Sequence, residues 1–471
     1  MMTVTEILGK INDVIGGVPL MVLIIVGGLL LTIRLRCLQI HKLGLALKWM
    51  VKNEEGGVGE VSSFAALCTA LSATIGTGNI VGVATAVAAG GPGALFWMLV
   101  AAFLGMATKF TEGLLAVKYR TVKPDGKVLG GPFYYIEKGM GASWKWLAKL
   151  FAVCGILAAL LGIGTITQVN GIASAAQGFF DPDEVKTVTI PVLGTHSWSV
   201  VITAIIVAAV VALVIIGGLK RIASVSEVIV PFMAVLYIVS VLILIIGNIT
   251  ALPAAIATIV KGAFNPRAVT GGVVGTIFVA MQKGVARGIF SNEAGLGSAP
   301  IAAAAAQTNE PVRQGLVSMT GTFIDTIVIC MMTGLSIVMT GAWQVEGLEG
   351  VQITNYAFQN GLPFSNKVCS LILMLCLMFF AFTTILGWDY YSERCLEYLT
   401  GGKQTPLKVY RWLYILAVLI GPFLTVAAVW QTADIFNSLM AIPNMIALFA
   451  LSGVAAREVK AFFDAGKHLN K

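Results

Sequence analysis

The chain has 471 residues, of which 57% are apolar and only 11% are charged, with a formal net charge of +8 at pH 7. A soluble protein of this length needs far more polar surface, and the alternating strands of about ten residues that form a membrane barrel are absent, so the composition predicts an all-α membrane protein. The lysines and arginines lie in short loops beside apolar runs, as membrane topology requires, and this argues against a nucleic-acid partner.

Apolar runs of about 20 residues, the length that crosses hydrocarbon, recur along the chain. They predict eleven transmembrane helices, at residues 17–33, 62–88, 93–118, 147–178, 198–216, 226–250, 270–290, 313–343, 364–397, 408–429 and 431–456. Three weaker stretches are predicted to be amphipathic or interfacial, at residues 36–60, 251–262 and 351–360.

The distribution of basic residues predicts the orientation. With the N-terminus outside, the inside loops and the C-terminal tail hold 26 lysines and arginines, whereas the outside segments hold five. Because cytoplasmic loops carry an excess of these residues, the chain is predicted to be a multi-pass protein of the cell membrane with its N-terminus outside and its C-terminus in the cytoplasm.

The eleven helices divide unequally. Residues 1–60 form an extra N-terminal helix with an inside amphipathic segment, residues 61–250 a first set of five helices, residues 251–456 a second set of five, and residues 457–471 a cytoplasmic tail. Because five is odd, the second set enters the bilayer inverted relative to the first. Inverted repeats are typical of secondary transporters, whose site lies near the midplane between the halves.

The run Ser72–Ile80 lies in the middle of the span 62–88 and contains two glycines, two threonines, a serine and an asparagine. These residues form helices poorly at the depth where lost hydrogen bonds cost most, so the run predicts a broken helix beside a polar cavity. Freed N–H groups can bind a carboxylate, and freed carbonyls with the Asn79 amide oxygen can bind Na⁺. The alternative is a glycine-rich packing face.

Three passages resemble the alanine/glycine:cation symporter family: ALSATIGTGNIVGVAT at residues 70–85, GGPFYYIEKG at 130–139 and RGIFSNEAGLGSAP at 287–300. The resemblance covers nearly the whole chain. It implies the leucine-transporter fold, with ten core helices in two inverted sets of five after an extra N-terminal helix. It also implies Na⁺-driven import of alanine or glycine by alternating access, with the substrate carboxylate on the N–H groups of Thr77 and Gly78.

The resemblance places the sixth core helix opposite the broken one. Phe278, Met281 and Gln282 are spaced i, i+3 and i+4, so they share a face that would wall the substrate. The alternative is a packing face with Lys283 extending to the membrane surface. Gln168, well inside its span, either contacts the substrate or bridges two helices.

The resemblance also suggests a sodium site on the eighth core helix. Adjacent hydroxyls at Thr383 and Thr384 would bind Na⁺ together with carbonyls around Ser72 and Ile75, unless the threonines bond to their own helix. Trp388 would cap the substrate pocket or anchor the membrane interface. The predicted substrate-binding residues are Thr77, Gly78, Asn79, Gln168, Phe278, Met281, Gln282, Thr384 and Trp388, and the predicted Na⁺ ligands are Ser72, Thr74, Ile75, Asn79, Thr383 and Thr384.

Several intramembrane charges have open roles. Asp325 either binds the cation, titrates during transport or pairs for structural reasons. Lys109 and Glu112 are three residues apart and are predicted to form a local ion pair. Arg287 and Glu293 form either an inner-gate pair or part of a solvated loop.

The sequence therefore predicts a symporter of small amino acids. The predicted pocket leaves room for no more than a methyl group, which favours alanine and glycine. A proton-coupled transporter or one of broader specificity is the alternative. An enzyme is disfavoured because no catalytic set occurs at membrane depth, and a channel because no selectivity-filter repeat is visible. Beyond Na⁺ as coupling ion no cofactor is expected, and no obligate protein partner is evident.

Overall fold

The computed structural model describes residues 4–466, except positions 53, 55, 125, 192 and 265–276. Helices make up nearly all of the described chain, which confirms the all-α prediction. Two short antiparallel hairpins interrupt them, one formed by β1 (Thr121–Val122) and β2 (Val128–Leu129), the other by β3 (Thr187–Ile190) and β4 (Gly194–Ser197). Helices prevail because backbone groups in lipid must be satisfied within their own segment.

The first part of the chain forms one long apolar helix followed by two short ones. A π-helical turn, Asp13–Gly17, joins the first two segments. The helices are α1 (Val4–Asn12), α2 (Val18–Arg34), α3 (Leu38–His41) and α4 (Leu43–Val51). The amphipathic stretch predicted at 36–60 thus contains two helices with exposed apolar side chains such as Ile40 and Val51.

The middle of the chain contains the broken helix and the long helices that surround it. In chain order these are α5 (Ser63–Thr74), α6 (Val83–Gly90), α7 (Gly93–Lys118), α8 (Pro132–Tyr134), α9 (Lys145–Leu161), α10 (Ile166–Phe180), α11 (Trp198–Ile215) and α12 (Leu219–Gly247). The β3–β4 hairpin connects α10 to α11 at one end of the bundle.

The remaining helices complete the bundle. They are α13 (Leu252–Phe264), α14 (Ile277–Asn292), α15 (Ala299–Ala303), α16 (Pro311–Thr322), α17 (Met331–Met339), α18 (Val351–Gly361), α19 (Asn366–Thr400), α20 (Gln404–Ile420) and α21 (Val426–Asp464). A π-helical segment, Phe323–Cys330, joins α16 to α17. The weaker stretches predicted at 251–262 and 351–360 correspond to α13 and α18.

Within the described residues, nine helices are long and apolar enough to cross a membrane, and a bent helix pair makes a tenth candidate. The chain is therefore a multi-pass membrane protein. The seventh predicted span, 270–290, begins among residues 265–276, outside the described residues, and its described part lies in the 16-residue α14. The count of eleven and the five-plus-five repeat remain predictions.

Glycines let α14 and α16 pack directly against α7 at the centre of the bundle. A Cβ at Gly284 would lie 2.1 Å from the Ala94 carbonyl oxygen, and one at Gly315 would lie 2.7 Å from the Phe110 carbonyl oxygen. Close backbone approach of this kind is how helices associate without a hydrophobic driving force in lipid. It fixes α14 beside the broken helix.

Candidate functional site

The predicted break is present in the structure. The segments Ser63–Thr74 and Gly78–Gly90 are bent by 53° relative to each other, with Ile75, Gly76 and Thr77 between them. The Asn79 Oδ1 atom accepts a hydrogen bond from the Gly76 N–H at 2.8 Å and so closes the turn locally. Every residue from Ile75 to Asn79 is buried, so the backbone groups that the break frees from helical hydrogen bonds lie inside the protein.

Gln168 bridges the break to α10. Its Oε1 atom accepts the Thr77 N–H at 3.0 Å, and its Nε2 donates to the Ile163 carbonyl at 2.8 Å. The bridging alternative of the sequence analysis is therefore realised. Contact of Gln168 with a substrate remains a prediction, and it would require the amide to release Thr77.

The Thr77 side chain is buried, and among the described residues its hydroxyl has no hydrogen-bond partner. Thr77 lines a cavity of about 480 Å³, here called the vestibule, whose lining also includes the loop residues Glu184 and Glu349. Polar side chains of α10, including Asn170 and Ser174, line one wall. A buried hydroxyl costs free energy unless it is hydrogen-bonded, so Thr77 is placed to bind a ligand entering this vestibule.

Asp325 is fully buried beside the second half of the broken helix. One carboxylate oxygen accepts from Asn79 Nδ2 at 2.7 Å. The other accepts from Ser291 Oγ at 2.8 Å and Thr326 Oγ1 at 2.6 Å. All three donors are neutral, and within the described chain Asp325 takes part in no ion pair. The cluster therefore offers one carboxylate and two hydroxyl oxygens as ligands to a cation.

A π-helical segment, Gly78–Gly82, begins the second half of the broken helix, and an ion pair lies near its end, about one helical turn from Gly78. The Arg287 guanidinium makes two hydrogen bonds to Asp434, at 3.1 and 2.7 Å, and it sits 4.6 Å from the Trp430 ring centroid. The Trp430 and Phe290 rings are in contact, with centroids 4.7 Å apart. A Cβ at Gly82 would touch both Trp430 and Arg287, so this layer packs on the broken helix.

The prediction that Arg287 pairs with Glu293, or that both lie in a solvated loop, is wrong. Arg287 lies in α14 and binds Asp434. Glu293 is fully buried and accepts hydrogen bonds from Trp388 Nε1 at 2.8 Å and Ser298 Oγ at 2.5 Å. The glycines that follow Glu293 turn this segment back into the bundle, which the local sequence did not reveal.

The predicted ion pair between Lys109 and Glu112 is also absent. Glu112 Oε1 instead accepts the Gly295 and Gly297 N–H groups at 3.2 and 3.1 Å, and Asn444 Nδ2 at 2.7 Å. The buried Lys109 amino group forms no hydrogen bond with any described residue. The partner of Glu112 is therefore the turn after α14, which is distant in sequence.

Of the predicted sodium ligands, Thr384 meets the break. Its hydroxyl donates to the Ile75 carbonyl at 3.2 Å. The other predicted hydroxyl ligands bond to the preceding turn of their own helices: Ser72 to Thr69, Thr74 to Ala70 and Leu71, and Thr383 to Phe379 and Phe380. The Thr384 hydroxyl also lies 3.0 Å from the Phe380 carbonyl oxygen of its own helix, so it differs from the other three in reaching the break as well. The structure brings Ile75, Asn79 and Thr384 together, and the sodium-binding roles of all six residues remain predictions.

The face of α14 that meets the break differs from the predicted one. A Cβ at Gly78 would lie 3.1 Å from Phe290 Cδ1 and 3.3 Å from Ser291 Cα. The structure does not bring Phe278, Met281 or Gln282 to the break: Phe278 is 42% exposed, Met281 is half-buried, and Gln282 lies against Gly17 of the N-terminal segment. Their predicted role as substrate contacts remains a prediction.

Trp388 is buried beside Gly164, where a Cβ would lie 2.6 Å from the Trp388 Cβ. It lies one turn along α19 from Thr384 and does not line the vestibule. Sequence reasoning missed Ser291, Trp430 and Asp434. Ser291 stood in one of the motifs that carry the family resemblance, whereas nothing near Trp430 or Asp434 signalled a role.

A multi-pass helical bundle with a buried broken helix beside a vestibule is the architecture of a membrane transporter. The chain matches the sodium:alanine symporter family over residues 1–471, and it belongs to that family. It is a transporter, not an enzyme.

Three relatives match almost end to end. An uncharacterized transporter of Haemophilus influenzae is 56% identical, over 98% of this chain and 97% of its own length. The sodium/alanine symporter AgcS of Methanococcus maripaludis is 45% identical, over 99% of both chains. The Bacillus subtilis protein named "Probable sodium/glutamine symporter GlnT" is 38% identical, over 97% of this chain and 90% of its own.

Proposed function

We propose that this protein imports alanine, and also glycine, together with Na⁺ by alternating access, and that the amino acid binds at the broken helix. The observation that carries the proposal is the buried Thr77 hydroxyl, which has no hydrogen-bond partner in the described chain, in a residue that lines the vestibule. The family description and the name of the Methanococcus relative support sodium and alanine as the transported pair.

The substrate carboxylate binds at the start of the second half-helix. The segment Gly78–Gly90 begins beside Thr77, which lines the vestibule, and the N–H groups and dipole of a helix N-terminus favour an anion. Without a ligand, the Thr77 N–H donates its hydrogen bond to Gln168 Oε1. The carboxylate displaces that amide oxygen, and the freed Gln168 side chain then bonds to the amino acid.

The coupling Na⁺ binds between the broken helix and the Asp325 carboxylate. Ser291, Thr326 and Asn79 already surround this carboxylate, and a monovalent cation neutralises a charge that no ion pair within the described residues balances. The contact between Thr384 and the Ile75 carbonyl is a second candidate location for Na⁺. Hydroxyl and carbonyl oxygens suit a hard cation at both places.

Alternating access requires a vestibule that opens on one side at a time. The open end carries Glu184 and Glu349, and the distribution of lysines and arginines assigns this end to the cell exterior. The layer formed by Arg287, Asp434 and Trp430 acts as the outer gate. The two inverted sets of five helices and the leucine-transporter fold belong to the same proposal.

Broader specificity is a second candidate function. The vestibule of about 480 Å³ admits side chains larger than a methyl group, and one relative is named for glutamine. Uptake of labelled alanine, glycine and glutamine into the same proteoliposomes separates the two. Comparable uptake rates for glutamine and alanine would show broader specificity and contradict the proposal that only small amino acids are transported.

Uptake by Thr77→Val tests the site. Valine keeps the shape and removes the hydroxyl, and a hydrogen bond to a charged ligand is worth about 1.5–3 kcal/mol, so Na⁺-driven alanine uptake falls about tenfold or more. Thr85→Val is the matched control, because the Thr85 hydroxyl bonds to its own helix at Gly82. Equal uptake by the two variants would remove Thr77 from the site.

A further inference from the structure

A basic cleft lies far from the vestibule, between the end of α2 and the last turns of α21. It encloses about 490 Å³. Five cationic side chains line it, which are those of Arg34, Arg36, Lys42, Arg457 and Lys460. One carboxylate, that of Asp464, stands among the lining residues.

The five cationic side chains outnumber the single carboxylate of the cleft. An Nη1 atom of Arg34 and one of Arg457 would lie 3.9 and 3.8 Å from a Cβ at Gly453, so both guanidinium groups approach the same point. The nearby Glu458 carboxylate is bound to Lys118 at 2.6 Å. Two like charges near the same point repel each other, and an anion bound between them would relieve the repulsion.

The position of the basic cleft relative to the bilayer indicates which anion. The apolar span Ile7–Arg34 ends at Arg34, so the cleft begins where the hydrocarbon ends. Immediately beside it Ile33 and Ile40 are exposed and apolar. An adjoining surface of this kind accepts acyl chains, and the Lys42 amino group over the Phe463 ring, 4.5 Å from its centroid, forms part of the polar wall.

We infer that the basic cleft binds the phosphate headgroup of an anionic phospholipid, whose acyl chains lie along the exposed face of α2. Basic pockets between helices at the cytoplasmic side of a membrane recognise anionic headgroups in this way. Because the cleft joins the first and last long helices, the lipid links the two ends of the chain.

Native mass spectrometry of the purified full-length protein tests the inference. Dioleoyl phosphatidylglycerol, dioleoyl phosphatidylcholine and inorganic phosphate are compared as ligands. The anionic lipid binds wild-type protein most tightly. The double variant Arg34→Gln/Arg457→Gln binds it about thirtyfold more weakly, since each cation at an anionic membrane surface contributes roughly fivefold.

Matched variants distinguish binding in the basic cleft from non-specific attraction of the lipid to positive charge elsewhere on the protein. Lys403→Gln/Lys408→Gln removes two exposed cations elsewhere and leaves binding unchanged. Arg34→Lys/Arg457→Lys keeps the charge and most of the binding. Lys460→Gln alters an exposed side chain of the cleft and lowers lipid binding about fivefold. This single variant replaces the double variant in the test if the double variant does not fold.

Three results would overturn the inference. Equal losses in the cleft variant and in the Lys403/Lys408 control would show non-specific attraction. Equal binding of phosphatidylcholine would remove the selectivity for anionic lipid. Inorganic phosphate that binds as tightly as phosphatidylglycerol would make the cleft a site for free phosphate.

Discussion

Replacement of Asp325 with asparagine tests whether a buried carboxylate holds the coupling ion. In the wild-type protein both carboxylate oxygens accept hydrogen bonds, one from Asn79 and the other from Ser291 and Thr326. Asparagine offers one acceptor oxygen, so its NH₂ group must face one set of donors. The variant loses a bond to a charged group, worth about 1.5–3 kcal/mol, and the negative charge itself.

The expected result is a half-saturating Na⁺ concentration raised about tenfold to a hundredfold. The assay is the initial rate of alanine uptake into proteoliposomes as external Na⁺ replaces K⁺ at constant pH. Asp183→Asn, at an exposed loop position, is the control. A half-saturating concentration within about twofold of wild type would refute the assignment of Asp325 to the cation site.

The same variant separates sodium coupling from proton coupling. If Asp325 carries a proton during the cycle, a pH gradient without Na⁺ drives alanine uptake by the wild-type protein and not by Asp325→Asn. The proposed sodium mechanism predicts that the pH gradient alone drives neither.

Two further predictions concern the gate and the packing. Arg287→Gln and Asp434→Asn each slow Na⁺-driven alanine uptake, and the double variant is no slower than either single variant because both remove one ion pair; additive losses would show that the two residues act independently. Gly284→Ala lowers the melting temperature measured by thermal unfolding, because its Cβ would lie 2.1 Å from a backbone oxygen and relief of such a clash costs about 1–3 kcal/mol. Gly44→Ala, with open space around its Cβ, leaves the melting temperature unchanged or raises it, and equal losses in both variants would contradict the packing argument.

The broken helix could be predicted because its signal is local. Glycines and short polar residues in the middle of an apolar run have a cost that only a break beside a cavity offsets. The bend between Thr74 and Gly78 confirms that reasoning. The same argument drew attention to Asn79 as a ligand; its amide oxygen closes the turn in the structure, and its ligand role remains a prediction.

The direction of individual hydroxyls could not be predicted. Ser72, Thr74 and Thr383 are of the right type and near the right depth, but each bonds to its own helix. Residue type does not distinguish a hydroxyl that faces a ligand from one that bonds to the preceding turn. Thr384 likewise bonds to its own helix at Phe380, and it reaches the Ile75 carbonyl in addition because α19 packs against the break at that register.

Partners distant in sequence were also beyond prediction. Arg287 and Asp434 are 147 positions apart, and a single sequence gives no measure of such contacts. Spacing showed that Phe278 and Met281 share a face of α14, but it could not show which neighbour that face meets. Packing of α14 on α7 places Phe290 at the break instead.

A structure determined with saturating alanine and Na⁺ tests the central claim most directly. The proposed mechanism predicts that alanine lies between Thr77 and Gln168. The Thr77 N–H then donates to the carboxylate of the alanine and no longer to the Gln168 amide. Alanine bound elsewhere, with the Thr77–Gln168 hydrogen bond intact, would contradict it.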